Sequence, residues 1–212
     1  MHQNDQMTIP GRRSFLGGAT LSAAAIALLG GKDVLAQGTG SAQDVNILNV
    51  ALGLEHEAIN AYQLGAQSGL LQKPVLDLAV RFQADHKEHR DALVATIKKM
   101  GGTPVAEKSL ADYAKVLKAD TLKGQGDVLE LAASLELGAI NAYLGVIPSF
   151  KDGQLAKVAG RLAADEVLHW TLLNNALGKA LEADLIVTAT GLNLEVLAGI
   201  DLTVDGALTF TA

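Results

Sequence analysis

The chain has 212 residues, carries a net charge of −6 and contains no cysteine; 49% of its residues are hydrophobic, 19% charged and 4% aromatic. That length holds one domain with at most a small appendage. The acidic balance offers no basic stripe to a nucleic acid, and the missing Cys removes disulfides, thiolate metal sites and cysteine catalysis. The apolar content excludes disorder for most of the chain.

Residues 1–36 read as an export address. Arg12-Arg13 precede Ser14-Phe15-Leu16, and an apolar stretch without charge runs from Gly17 to Gly31. Val34-Leu35-Ala36 then offers small residues for a signal peptidase cutting before Gln37. The segment resembles a twin-arginine signal, with Gly11 where Ser or Thr is usual and Gly17 where Lys is frequent. It is too short and too rich in Gly for a comfortable membrane span of about 20 residues. The resemblance implies the twin-arginine translocase as a partner, export in the folded state, and a periplasmic or extracellular destination. Cleavage removes three basic and two acidic side chains and takes the charge from −6 to −7.

The remaining chain contains an internal repeat. Residues 54–62 (LEHEAINAY) return at 135–143 as LELGAINAY, and residues 81–89 (RFQADHKEH) return at 161–169 as RLAADEVLH. Two different segments recurring at nearly the same offset indicate a duplicated helix pair. Helical spacing places Leu48, Leu52, Glu55, Ile59 and Tyr62 on one stripe of a helix at about 45–70. A second helix at about 74–100 aligns Phe82, His86, His89 and Leu93, with Pro74 in its first turn and Gly101-Gly102 as its stop. The third, about 126–147, aligns Leu129, Ala133, Glu136, Ile140 and Tyr143; the fourth, about 153–181, aligns Leu162, Glu166, His169 and Leu173. Between the pairs, Glu107 to Leu117 reads as a short helix within a crossover link. The expected fold is an all-α four-helix bundle over residues 37–181.

Every one of those apolar stripes is interrupted at its middle layer, by Glu55, by His86 and His89, by Glu136, and by Glu166 and His169. A lone buried carboxylate is costly. Six convergent Glu and His side chains are most simply satisfied by a bound cation. Glu166 and His169 are three apart, about 60° round a helix, and can address one ion. Carboxylate and imidazole donors without thiolate favour iron or manganese, and zinc also fits.

With these residues in place the chain resembles the ferritin-like superfamily of di-iron and di-manganese carboxylate bundles, over residues 45–181. The pattern of that superfamily is one Glu from each of two helices and Glu-x-x-His from each of the other two. Glu55 and Glu136 match the single Glu positions, and Glu166-Val-Leu-His169 matches a complete Glu-x-x-His. Glu55…Ala58…Tyr62 and Glu136…Ala139…Tyr143 are similar to the first-helix pattern of rubrerythrin-type members. The resemblance implies that Glu55, His86, His89, Glu136, Glu166 and His169 hold metal. It also pairs Asp165 with His89 and Asp85 with His169 as carboxylates orienting the ligating rings.

His86 departs from the pattern, standing where the second half-motif has a metal-bridging Glu. An imidazole cannot bridge through two oxygens and leaves three carboxylates instead of four. That leaves open two metals with an exogenous bridge, a single metal, or a preference for manganese. Glu88 lies about 200° round the helix from His86 and is discounted as a replacement. Tyr62 and Tyr143 are counted among the residues around the site, packed with satisfied hydroxyls in preference to a redox role. His56 is expected at a helix–helix boundary, Asn60 and Asn141 bonded to a neighbouring helix, and Trp170 packed outside the bundle. Beyond residue 182, β-branched Leu185–Ala189, alternating Ile200, Leu202 and Val204, and Asp205-Gly206 before Ala207–Thr211 read as a hairpin-like extension.

The function expected is an exported metalloprotein with redox activity toward dioxygen, peroxide or ferrous ion. The alternatives are a metal-binding or stress-protection bundle without turnover and a structural bundle without metal. No side chain is assigned a catalytic role, a homo-oligomer is left open, and no exported segment is expected to be uncharged for long enough to span a membrane.

Overall fold

The computed structural model describes residues 40–179 and the backbone of Ile200–Leu202 and Leu208–Phe210. Residues 1–36, expected to be an export segment, and most of the C-terminal extension therefore lie outside the described residues. Five α-helices are described: α1 (Gly40–Gln67), α2 (Lys73–Lys99), α3 (Leu110–Val116), α4 (Gln125–Val146) and α5 (Gly153–Ala176).

Short turns join α1 to α2 and α4 to α5, which makes each pair antiparallel. The long link from α2 to α4 runs the length of the bundle. Near one end Gly102 meets Val45 at the start of α1, and near the other Gln125 Oε1 accepts from Gln72 N–H at 2.8 Å. That crossover places α1 beside α4 and leaves α2 and α5 to close the fourth side. The sequence expectation of a duplicated pair with a crossover is met.

Local chemistry sets the ends. Pro74 sits in the first turn of α2, where its missing N–H costs nothing. Gly101 adopts φ +79°, and the Gly102 N–H bonds Ile97 O at 2.9 Å, ending α2 where Gly-Gly predicted. The crossover helix is shorter than expected because Ser109 caps it: its hydroxyl accepts from Asp112 N–H at 3.2 Å, leaving Glu107 and Lys108 outside. Helix α5 likewise stops at Ala176 and not at 181. Gly178 takes φ +68°, and Lys179 N–H bonds Asn174 O at 2.9 Å in a closing turn.

Gly102 has a packing reason beyond the turn. A Cβ there would meet Val45 Cγ1 at 2.5 Å and Ile97 Cγ2 at 3.1 Å. Both neighbours are β-branched and stiff. Gly102→Ala is expected to lower unfolding stability by about 1–3 kcal/mol through overpacking, read from a denaturant midpoint that falls at constant slope.

The core has apolar clusters above and below the polar layer. On one side Leu48, Leu52, Leu93, Ile97 and Leu162 pack together; on the other Phe82, Leu129, Ile140, Trp170 and Leu173 do. Trp170 is therefore inside the bundle, contrary to the sequence expectation, at 5% exposure. It is 100° round from His169, a direction still covered because α5 packs along α4. The segment Gln125–Ser149 is also long and apolar enough, by length and composition, to cross a membrane. It is not an uncharged run, since it carries Asp127, Glu130 and Glu136. Its composition follows from lying between α1 and α5, which makes two of its faces apolar.

In the extension, Ile200–Leu202 pairs antiparallel with Leu208–Phe210, Ile200 opposite Phe210 and Leu202 opposite Leu208. The expected Asp205-Gly206 turn and the stretch 185–189 lie outside the described residues.

Candidate metal centre

All six predicted ligands converge in the middle of the bundle and are buried. Glu166 is 0% exposed, Glu55 and His86 1%, Glu136 2%. Glu55 enters from α1, His86 and His89 from α2, Glu136 from α4, and Glu166 and His169 from α5.

Their donor atoms form two groups of four. Glu55, His86, His89 and Glu166 offer atoms within 4.8 Å of one another, and so do His86, Glu136, Glu166 and His169. The sequence repeat explains the arrangement, since each group is the other's counterpart in the opposite half of the chain. Two members, His86 and Glu166, belong to both. They are the equivalent positions of the repeat and face each other, His86 Nε2 to Glu166 Oε2 at 3.8 Å.

The surrounding contacts obey the same reciprocity. Tyr62 on α1 donates its hydroxyl to Glu136 on α4, and Tyr143 on α4 donates to Glu55 on α1. His89 Nε2 lies 3.4 Å from Asp165, and His169 Nε2 lies 3.5 Å from Asp85. These are the Asp–His pairs that the resemblance implied. Both tyrosines are packed with a satisfied hydroxyl, and that hydroxyl reaches a carboxylate of the donor groups directly.

The donor set fits a cation on one structural observation. Among the described residues, His89 Nδ1, His169 Nδ1, Glu136 Oε2 and both oxygens of Glu166 are buried without a hydrogen-bond partner. Each such atom costs about 1–3 kcal/mol. The Glu166 oxygens approach His89 Nδ1 and His169 Nδ1 at 3.3 Å but are not aligned for hydrogen bonds. An Asp behind each of these rings holds the proton on Nε2, so Nδ1 is the nitrogen that would give up its proton to a cation. Five inward atoms seeking a partner, all oxygen or nitrogen, describe a site for cations such as iron, manganese or zinc.

The charges in this layer are strongly coupled. Burial pushes Glu55 up, but the hydrogen bond from His86 and the charge of His86 and His89 outweigh it and hold Glu55 down at about 2. Burial and repulsion from Glu136 raise Glu166 to about 7, against the attraction of His86. Burial lowers His89 and His169, and the surrounding carboxylates more than reverse it, to about 10 and about 9. The same balance raises His86 well above its ordinary range.

A pH dependence follows for chelated protein. Folding raises both His values above about 6.5, so their stabilisation is complete below that pH and is lost as pH climbs through 9 and 10. Glu55 is lowered, so its contribution is complete above about 4.5 and is lost as pH falls toward 2. Glu166 is raised, so it opposes folding increasingly between about 4.5 and 7. The denaturation midpoint of chelated protein is expected to peak at about pH 4.5, falling below it as Glu55 is protonated and above it first through Glu166 and then through the two His. A flat profile to pH 10 would show that these groups are not coupled as described.

The fold and this layer bear comparison with known proteins. A sequence profile described as the ferritin-like domain matches residues 43–179. The chain belongs to the ferritin-like family. No curated protein matches it. Within this ferritin-like bundle, two buried residues, one at the site and one on the side of the crossover link, have contacts that spacing does not show. Phe82 stacks on the His169 ring at 4.1 Å between centroids and fixes its plane; its position one turn before His86 was read only as an apolar stripe. Glu57 is buried, and its charge acts on Tyr113 of the crossover helix α3; nothing in its spacing set it apart. His56 itself is buried on the side of the crossover link, at a boundary as expected, and burial lowers its pKa against the opposing charge of Glu107. Asn60 bonds His56 O at 2.8 Å and Glu107 Oε1 at 2.6 Å, so its partner is the link and not a neighbouring bundle helix.

Proposed function

We propose that this ferritin-like protein is exported by the twin-arginine pathway and binds iron or manganese in its central layer, where it reacts with dioxygen, peroxide or ferrous ion. The observation that carries the reading is the pair of four-donor groups sharing His86 and Glu166. Export rests on Arg12-Arg13 and the apolar stretch that follows. A pathway that carries folded proteins suits a cofactor loaded before translocation.

In this reading the metal supplies the electron-transfer chemistry when bound. The chain's residues bind and orient. Glu55, His89, Glu136 and His169 hold the two halves, Glu166 and His86 serve both, and Asp85 and Asp165 fix the ring tautomers. Tyr62 and Tyr143 hold protons against Glu136 and Glu55. An apolar cleft lined by Leu64, Leu71, Val75, Leu122, Val128 and also by Tyr62 suits a small apolar oxidant more than a charged one.

A second reading is a metal-binding bundle without turnover, favoured by His86 in the bridging position. Stopped-flow oxidation of ferrous ion by dioxygen or peroxide separates the two. Catalysed oxidation over several turnovers supports the redox reading; stoichiometric binding without oxidation supports the second.

A further inference from the structure

Resting on the metal-centre reading, we infer that His86 is itself a bridging ligand, holding one cation at each ring nitrogen of an imidazolate opposite the carboxylate bridge of Glu166. The ring is placed for it. His86 Nδ1 is 2.8 Å from Glu55 Oε2 in one half-site, and His86 Nε2 is 3.2 Å from Glu136 Oε1 in the other. Glu166 does the same with its oxygens, Oε1 toward His89 and Oε2 toward His169, both at 3.3 Å.

The repeat makes this more than a coincidence of distances. Positions 86 and 166 are each other's counterparts and lie between the half-sites, so any residue there serves both. A carboxylate meets that requirement with two oxygens. An imidazole meets it with two nitrogens, which point away from each other across the ring. Tyr62 stacks on His86 with centroids 5.5 Å apart and planes 29° apart, and His89 and His169 meet its edges. The ring is thereby held with its nitrogens along the line joining the halves.

Charge also closes. Each cation takes the lone pair left when one ring N–H proton departs to solvent, so the bridging ring carries one negative charge. Together with Glu55, Glu136 and Glu166 it balances two divalent cations without a fourth carboxylate. A further consequence is distance: ions on opposite nitrogens of one ring lie farther apart than the roughly 3.5–4 Å of ordinary two-metal sites.

The test is crystallographic, on the whole chain as purified and loaded with manganese(II), with the ions located by anomalous scattering. The expected result is two ions per chain, one on Nδ1 and one on Nε2 of His86, separated by clearly more than about 4 Å. In H86E, which restores a carboxylate, the separation is expected to shorten into the ordinary range. Two ions about 3.5–4 Å apart in the native chain, or one ion only, would overturn the bridge while leaving the metal centre standing. No ion in either protein would overturn the metal centre as well. The native separation decides the matter if H86E does not fold.

Discussion

Replacing Glu166 with Ala is expected to lose both cations together, whereas Glu55→Ala or Glu136→Ala should lose one. Glu166 is the only carboxylate in both donor groups, and neither of its oxygens has a hydrogen-bond partner among the described residues. Glu55→Ala leaves the other group of His86, Glu136, Glu166 and His169 complete. Metal content per chain should fall from about two to none in the first case and to about one in the others. Loss of a partner that merely orients a ligand typically costs about 10–100-fold in affinity, so removal of a shared ligand should exceed that at both sites. An equal loss of one cation in all three variants would show that Glu166 belongs to one half only.

Chelation is expected to lower the thermal midpoint by about 5–10 °C for each ion removed. A site holding its ion at a hundredfold excess over Kd adds about 2.7 kcal/mol, and about 2–4 °C accompany each kcal/mol in a domain of this size. The physical origin is the layer itself. Five buried donor atoms lack a hydrogen-bond partner among the described residues, and a bound cation would relieve them. A bundle stabilised by hydrogen bonds alone would melt at the same temperature with and without chelator. Differential scanning calorimetry before and after chelation, with the metal restored as a control, separates the two.

Much of the fold was legible because helical period and internal repetition are strong signals in one sequence. The stripe from Leu48 to Tyr62 and its counterpart from Leu129 to Tyr143 set two helices, and Pro74 and Gly101 marked the limits of a third. What escaped was set by contacts that are not periodic. The crossover helix begins at the Ser109 cap, and α5 ends at the Gly178 turn. Trp170 is buried because α4 covers a direction that the α5 sequence alone leaves open.

The site shows the same division. Six polar residues breaking four apolar stripes marked the side chains that converge into the two donor groups, and the resemblance implied the Asp–His pairs. The significance of His86 was only half visible. In sequence it is a lost carboxylate; in the bundle, the two ends of its ring lie against Glu55 and Glu136 in opposite halves. Which atoms of a residue face which partner is decided by rotamer and packing, here by Tyr62, His89 and His169 around the ring. Spacing carries no record of that.

The most direct measurement of the central claim is elemental analysis of the protein purified without a His tag after native export, counting iron, manganese and zinc per chain. The account predicts about two redox-metal ions per chain, retained through gel filtration. A chain that carries none, and takes up none when supplied with any of the three, would contradict it.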